Sequence, residues 1–335
     1  MKKQILYIVL SGLLLTACGT SGASSSVPVS SSDPVSSSET KEPYVVLFQQ
    51  NQIPDRIFKY VYGDQFSNIH YVSSAQDAAR VGLTGKNEAD NNASVDYVLL
   101  PQPALTNVLA NSKANAKLYK NVQDDFIAKS GGLEITQASI FVNTNTSSSL
   151  IDTFLDTIER DIKAAVEQPN LLKDAVSGLS QIELTNKYGV GTPELLAKMV
   201  KDNAIRIGYK DAKTNKAAVD NFLKALKFTA ADTDASLYYE KRSVGTHASD
   251  ISSLKIISPS GAPAFSLYKM YSSENVEINA DANNVLTYLS ANSDKDIVIA
   301  PTNALTAKIV KDGISNFKIA ANITFGNFYL ASVNQ

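Results

Sequence analysis

"DYVLLPQPALTNVLA" (Asp96–Ala110) and "DIVIAPTNALTAKIV" (Asp296–Val310) are one pattern written twice in a chain of 335 residues. Each copy has an Asp, a short apolar run, a Pro, two variable residues, Ala-Leu-Thr and then apolar residues at helical spacing. The apolar run has the length and composition of a buried strand. The Pro ends the strand, and the residues beyond it predict a helix. A strand–turn–helix device repeated so far apart points to two units of similar construction, not to a solenoid.

Each copy has matching neighbours. Upstream of the first, "YVVLF" (44–48) predicts a buried strand, "DRIFKYVYG" (55–63) a helix, "IHYVS" (69–73) a strand and "AQDAARVGLTG" (75–85) a helix closed by Gly82 or Gly85. Upstream of the second, "LKIIS" (254–258), "AFSLYKMY" (264–271), "VEINA" (276–280) and "NNVLTYLSAN" (283–292) predict the same order. A β-α-β-α-β-α run is the signature of a mostly parallel sheet with helices on its faces. A further strand closes each lobe, "QASIFVN" (137–143) in the first and "GNFYLAS" (326–332) in the second. Between them, 149–169, 170–182, 192–203 and 215–227 have amphipathic helical spacing, and Thr192-Pro193 reads as an N-cap with Pro at the first helical position. Residues 242–253, "RSVGTHASDISS", are polar and unpatterned, a linker.

The N-terminus has a different character. "MKKQILYIVLSGLLLTACGT" has a basic start and an apolar run from Ile5 to Leu15, too short to span a bilayer as a stable helix. It reads as an export signal over 1–17. Leu15-Thr16-Ala17-Cys18 resembles a bacterial lipoprotein box, which implies cleavage before Cys18 and lipid on its sulfur. Residues 18–43 are rich in Ser, Pro and Gly and bury too little to fold. As a flexible tether of about 25 residues they would reach roughly 25–30 Å. The folded chain is expected as a first α/β lobe with the helical segment over 44–241, the linker, and a second lobe over 254–335.

Composition narrows the function. The chain has 31 basic and 33 acidic residues, a net charge of −2, and no nucleic-acid footprint. One Cys excludes a disulfide framework and a Cys-based zinc site. Two His, His70 and His247, leave little for acid–base or metal chemistry. His70 alternates within a strand and reads as structural; His247 falls in the linker. No G-x-x-x-x-G-K phosphate loop occurs, and no cofactor is expected.

Taken together, Cys18 in its box, "SPSGAPA" (258–264), "DIVIAPTNAL", "ITFGNFYLAS" (323–332), "VDYVLLPQPALT" (95–106) and "ASLYYEK" (235–241) resemble the solute-binding lipoproteins of bacterial ABC importers. The likeness is to the nitrate, sulfonate, taurine and thiamine-pyrimidine-precursor group of the type II periplasmic-binding-protein fold. The resemblance implies a two-lobed clamshell of mostly parallel sheets flanked by helices. It also implies a monomer on the extracytoplasmic face, lipid-anchored through Cys18, that hands a small polar solute or oxyanion to ABC permease subunits. The tether points to a Gram-positive surface. In that group the lobe with "SGAPA" and "PTNAL" comes first, so this chain looks circularly permuted, and Ser332 and Tyr44 are expected near each other at the hinge.

Ligands of open parallel sheets bind beyond the carboxyl ends of the strands, where helices start. The candidate lining is therefore Ser258, Ser260, Gly261, Thr302, Asn303, Thr324, Phe325 and Asn327 from the later lobe, and Gln49, Gln50, Asn51, Gln102 and Gln137 from the earlier one. Hydroxyls and amides both donate and accept hydrogen bonds. Ser258 and Thr302 equally fit helix capping, and Phe48 and Phe325 fit core as well as cleft wall. Asp96 and Asp296 fit capping better than ligand contact. A surface sensor or adhesion lipoprotein is the alternative use of such a fold. An enzyme of pyrimidine or menaquinone precursor synthesis is disfavoured, because the expected cleft has no His or free Cys.

Overall fold

The computed structural model describes residues 41–102, 104–133, 135–136, 138–182, 184, 191–202, 204–228, 235–241, 250–259, 276–279, 289–301, 316–325 and 327–334. Glu42–Gln335 forms one compact unit. The expected signal, lipidation site, tether and linker lie outside the described residues, apart from the tether's last positions and the linker's end.

In chain order the strands and helices are β1 (Val45–Phe48), α1 (Ile53–Tyr62), β2 (Ile69–Val72), α2 (Ala75–Thr84), β3 (Lys86–Asn87), β4 (Ala93–Ser94), β5 (Tyr97–Pro101) and α3 (Ala104–Ala110). Then come β6 (Ala116–Asn121), α4 (Val122–Lys129), β7 (Ala138–Asn143), α5 (Ser148–Glu167), α6 (Asn170–Val176), α7 (Pro193–Lys201), β8 (Ile207–Asp211) and α8 (Lys216–Ala225). The chain ends with β9 (Ile256–Pro259), β10 (Val276–Asn279), β11 (Ile297–Pro301), β12 (Phe317–Phe325) and β13 (Phe328–Val333).

Two main sheets result, ordered β2-β1-β5-β13-β6 and β10-β9-β11-β7-β12-β8. The chain is a mixed α/β protein with helices packed on its sheets, as the sequence predicts. One expectation is corrected: the closing strands are exchanged. β7 lies in the second sheet, antiparallel between β11 and β12. β13 lies in the first, antiparallel between β5 and β6. Both are buried along their whole length, as central strands covered on two faces must be. The helical segment also divides. Apolar residues of α5, α6 and α7 enter the core of the second sheet, whereas Val219, Phe222 and Leu223 of α8 join that of the first.

The repeated Asp performs the same task in each sheet. Asp96 donates its N–H to the Tyr44 carbonyl (2.9 Å), and its carboxylate accepts the Tyr44 N–H (2.8 Å). Its carbonyl accepts the N–H of Val333 at the end of β13 (2.8 Å). Asp296 does this with Lys255, by N–H (2.9 Å) and carboxylate (2.8 Å), and with Asn143 at the end of β7 (2.9 Å). Each Asp thus locks the third parallel strand to the first and to the imported strand. The Asn side chains finish the ends: Asn334 Nδ2 donates to Gly85 and Val95 carbonyls (2.7 and 3.1 Å), Asn143 Nδ2 to Ser293 and Lys295 carbonyls (3.1 and 3.0 Å). Gly85 ends α2 in the left-handed conformation with the Asn334 amide against it, leaving no room for a Cβ.

Ser332 pairs with Tyr97, whose N–H donates to the Tyr44 carbonyl (3.1 Å). Tyr44 and Ser332 therefore sit near each other, with a single strand between them, but at the end of the first sheet opposite Pro101 and the passage from β12 to β13, not at a hinge as expected.

Replacing either Asp by Ala strands a backbone donor and should cost about 1–2 kcal/mol. The two losses should add, because the devices lie in separate sheets. Urea unfolding of D96A, D296A and the double variant measures both.

Candidate functional site

The carboxyl edge of the first sheet gathers three loops. β1 runs parallel to β5, Val45 opposite Tyr97, so the loop 49–51 lies beside Pro101 and Gln102. Gln102 donates its N–H to the Asn327 carbonyl (2.9 Å). On the second sheet, Pro301 pairs with Ala138 and Ile323 with the same residue, while Ser258 stands next to the end of β9, opposite Ile278 of β10. The two edges are tied by crossovers. From Phe325 of β12 to Phe328 of β13 are three Cα steps, at most about 11 Å. Thr324 Oγ1 donates to the Ile135 carbonyl (2.7 Å), which joins that crossover to the one entering β7.

The loop after β1 is strained. Gln49 and Asn51 have φ of 55° and 64°, in the left-handed region. Asp55, fully buried in the first turn of α1, holds it: Asn51 N–H donates to Oδ2 (2.7 Å), Tyr71 hydroxyl to Oδ1 (3.0 Å) and Lys59 Nζ to Oδ2 (3.2 Å). Burial pulls the Lys59 pKa down, but the hydrogen bonds to Tyr71 and Asp55 and the Asp55 charge outweigh it and leave it raised. Burial raises Tyr71. This brace was not singled out in the sequence. The signal available was an acid at the third residue of the helix, which reads there as ordinary dipole complementation.

Gln49, Gln50 and Asn51 are exposed at the edge, as proposed ligand contacts must be. Gln102 and Asn327 are buried instead. Gln102 Oε1 accepts from Thr106 N–H (3.2 Å) and hydroxyl (2.9 Å), capping α3. Asn327 Nδ2 donates to the Ala204 carbonyl (3.1 Å) and to the Tyr329 hydroxyl (3.0 Å), joining β13 to the loop before β8. Arg206 of that loop pairs with Asp124 of α4. Phe48 is buried 6.4 Å from Phe328, a core residue. Ser258 and Phe325 are described as backbone only, and Ser260, Gly261, Thr302, Asn303 and Gln137 lie outside the described residues.

His70 stacks on Tyr44, ring centroids 3.9 Å apart, beside Asp90. Burial and the hydrogen bond to Asp90 push the Tyr44 hydroxyl up to about 12. This cluster lies at the start of β1, away from the carboxyl edge. A cavity of about 410 Å³ lined by Val166, Val200, Ile205, Arg206 and Ile207 lies beside the start of β8, and no candidate residue lines it. Among the described residues no helix is long and apolar enough to cross a membrane, and no cluster of His, Cys, Asp and Glu could hold a metal.

No family model and no curated protein matches the chain. Among solved structures it is similar to a phosphate ABC transporter, phosphate-binding protein from Streptococcus pneumoniae TIGR4. The identity is 11%, the match covers 88% of this chain and 89% of that one, and the TM-score is 0.36. A likeness at that score establishes neither a shared fold nor a shared ligand.

Gln49→Gly should relieve left-handed strain and stabilise the chain by about 1 kcal/mol. Asp55→Ala should cost about 2–3 kcal/mol by leaving Lys59, Tyr71 and the Asn51 N–H without their acceptor. Thermal and urea unfolding of the two variants read opposite signs.

Proposed function

We propose that the protein is an extracytoplasmic solute-binding protein that captures a small polar organic solute or oxyanion between two lobes and delivers it to an ABC importer. The observation that carries this is the crossover of Phe325 to Phe328, joined through Thr324 to Ile135. It brings the carboxyl edges of both sheets together, and those are the edges where open α/β sheets bind ligands. Two halves joined by short crossovers can close on a ligand as a hinge. Ligand bridging both edges favours the closed form by its differential affinity.

On this proposal the protein is a non-enzymatic monomer. Leu15-Thr16-Ala17-Cys18 supports anchoring through Cys18 at the outer face of the cell membrane, and the Ser-rich tether supports a Gram-positive one. The nearness of Tyr44 and Ser332 supports the circular permutation. The lobe boundaries 44–241 and 254–335 are amended within this proposal: β13 is assigned to the first lobe, and β7, α5–α7 and β8 to the second.

A thermal-shift screen of residues 44–335, against oxyanions, sulfonates and nitrogen heteroaromatics, tests capture. A ligand at a hundredfold excess over Kd should add about 2.7 kcal/mol, several degrees of melting temperature. The same ligand should shrink the radius of gyration in solution scattering. Stabilisation without compaction would favour a static sensor site over a closing carrier. Cys18→Ala should release the protein from the membrane fraction into the medium; continued sedimentation with membranes would remove the lipid anchor.

A further inference from the structure

We propose that the cavity beside the start of β8 binds a short aliphatic molecule with one uncharged hydrogen-bond acceptor, the carbonyl of an amide, ketone or ester. The site is separate from the candidate edge residues and does not rest on the capture reading. Val166 near the end of α5, Val200 near the end of α7, Ile205, Arg206 and Ile207 surround about 410 Å³. That volume falls within the range of small-molecule sites. It is many times the roughly 30 Å³ share of one water. Four of the five lining side chains are aliphatic. Water there has few partners, and an apolar group displaces it favourably.

Bonds within the fold set the walls. The N–H groups of Ala204 and Ile205 both donate to the Met199 carbonyl (2.8 and 3.0 Å), which turns the chain back at the end of α7. The Ala204 carbonyl in turn accepts from Asn327 Nδ2 (3.1 Å) and from the Tyr329 hydroxyl (3.2 Å). Ile207 pairs with Phe325 across β8 and β12. Ile205 is buried and anchors the loop, whereas Val166 is 48% exposed, so the cavity meets solvent beside α5. A site held in this way stands before its ligand arrives, and little ordering entropy is lost on binding.

Arg206 supplies the polar contact. Its Nη2 donates to the Asp124 carboxylate, and its Nε is buried with no hydrogen-bond partner. Among the described residues Asp124 is its one partner, so most of the five N–H donors of the guanidinium lack a protein acceptor. The side chain is 32% exposed, within reach of a ligand. Spare donors beside an aliphatic cavity suit an acceptor oxygen with an alkyl chain. The charge decides which kind. Asp124 already balances the guanidinium, and its other oxygen accepts from Asn121 Nδ2 at 2.5 Å. A carboxylate ligand would stand next to that carboxylate and be opposed by it. A carbonyl oxygen meets the spare N–H groups without that opposition.

The test is methyl NMR on residues 42–335, the compact unit, labelled at Val and Ile and titrated with hexanamide, 2-hexanone, hexanoate and hexylamine. Hexanamide and 2-hexanone should shift the methyl signals of Val166, Val200, Ile205 and Ile207 to saturation and leave those of Val45 and Val46 in place. Hexanoate and hexylamine should bind more weakly. Arg206→Met keeps the apolar stem and removes the donors, and it should weaken hexanamide about tenfold, the loss of one hydrogen bond to a charged group. Val166→Trp, at an exposed position, should block the cavity and leave the melting temperature of the free protein unchanged. Asp124→Asn should tighten hexanoate and leave hexanamide almost unchanged. No saturable shift from any of the four probes overturns the site. Hexanoate binding the unaltered protein as tightly as hexanamide overturns the uncharged acceptor. Full hexanamide affinity in Arg206→Met, or in Val166→Trp where the first variant does not fold, overturns the assignment to this cavity.

Discussion

Two carboxylates, Asp96 and Asp296, each bonded to the backbone of the residue that precedes a first strand, set the frame on which the rest of the molecule hangs. Each also presents its carbonyl to the last residue of a strand that comes from elsewhere in the chain. A short strand is marginal alone, and a parallel pair is weaker than an antiparallel one. Inserting an antiparallel strand beside the third parallel strand converts that strand's open edge into a ladder. The Asp fixes where the ladder ends, and so fixes its register. A one-residue slip would turn every buried side chain of β7 or β13 to the wrong face.

Because the inserted strands are exchanged, neither sheet is complete without the other half of the chain. β7 comes from the first half and β13 from the end. The exchange makes two connections, not one, and both run between the carboxyl edges. The passage from β8 of the second sheet to α8 on the first, and back to Tyr238 beside Ile319 of β12, adds two further crossings between the sheets. The contacts around the crossovers are polar and directional: Thr324 to Ile135, Asn327 and Tyr329 to Ala204, Arg206 to Asp124. Hydrogen bonds of this kind can be exchanged for others at modest net cost, unlike an interlocked apolar core.

The repeat made the parallel units legible in sequence, since alternation of apolar strands with amphipathic helices is a strong local signal. The exchange was not legible. "QASIFVN" and "GNFYLAS" state that they are buried, but a uniformly apolar strand carries no record of its partner. Strands β6, β8 and β12 also went unread, and for β6 the reason is different. "AKLYKN" is an edge strand with Lys117 and Lys120 and partly exposed Leu118 and Tyr119, the composition that protects an edge and hides the strand. Among the candidate site residues, Gln102 and Asn327 show the limit most clearly. A polar side chain just past a strand reads the same whether it caps the next helix, ties a crossover or awaits a ligand. Only burial and partners separate these roles, and here both side chains are buried and bonded to groups inside the fold.

The loop after β1 holds a costly backbone conformation in place. Left-handed backbone costs an ordinary L-residue roughly 1–2 kcal/mol, somewhat less for Asn. Gly would remove that cost at Gln49, yet a Gln stands there, exposed, with a buried carboxylate beneath it holding the loop in place. A buried Asp that draws on a Lys, a Tyr and a backbone N–H does more than a short surface turn requires. Backbone strain of this kind persists where surrounding structure over-determines it, and such places concentrate at binding sites. The strain and the Asp55 brace together fix where the Gln49, Gln50 and Asn51 amides stand, so that on the proposed capture reading little ordering entropy would remain to be lost on binding.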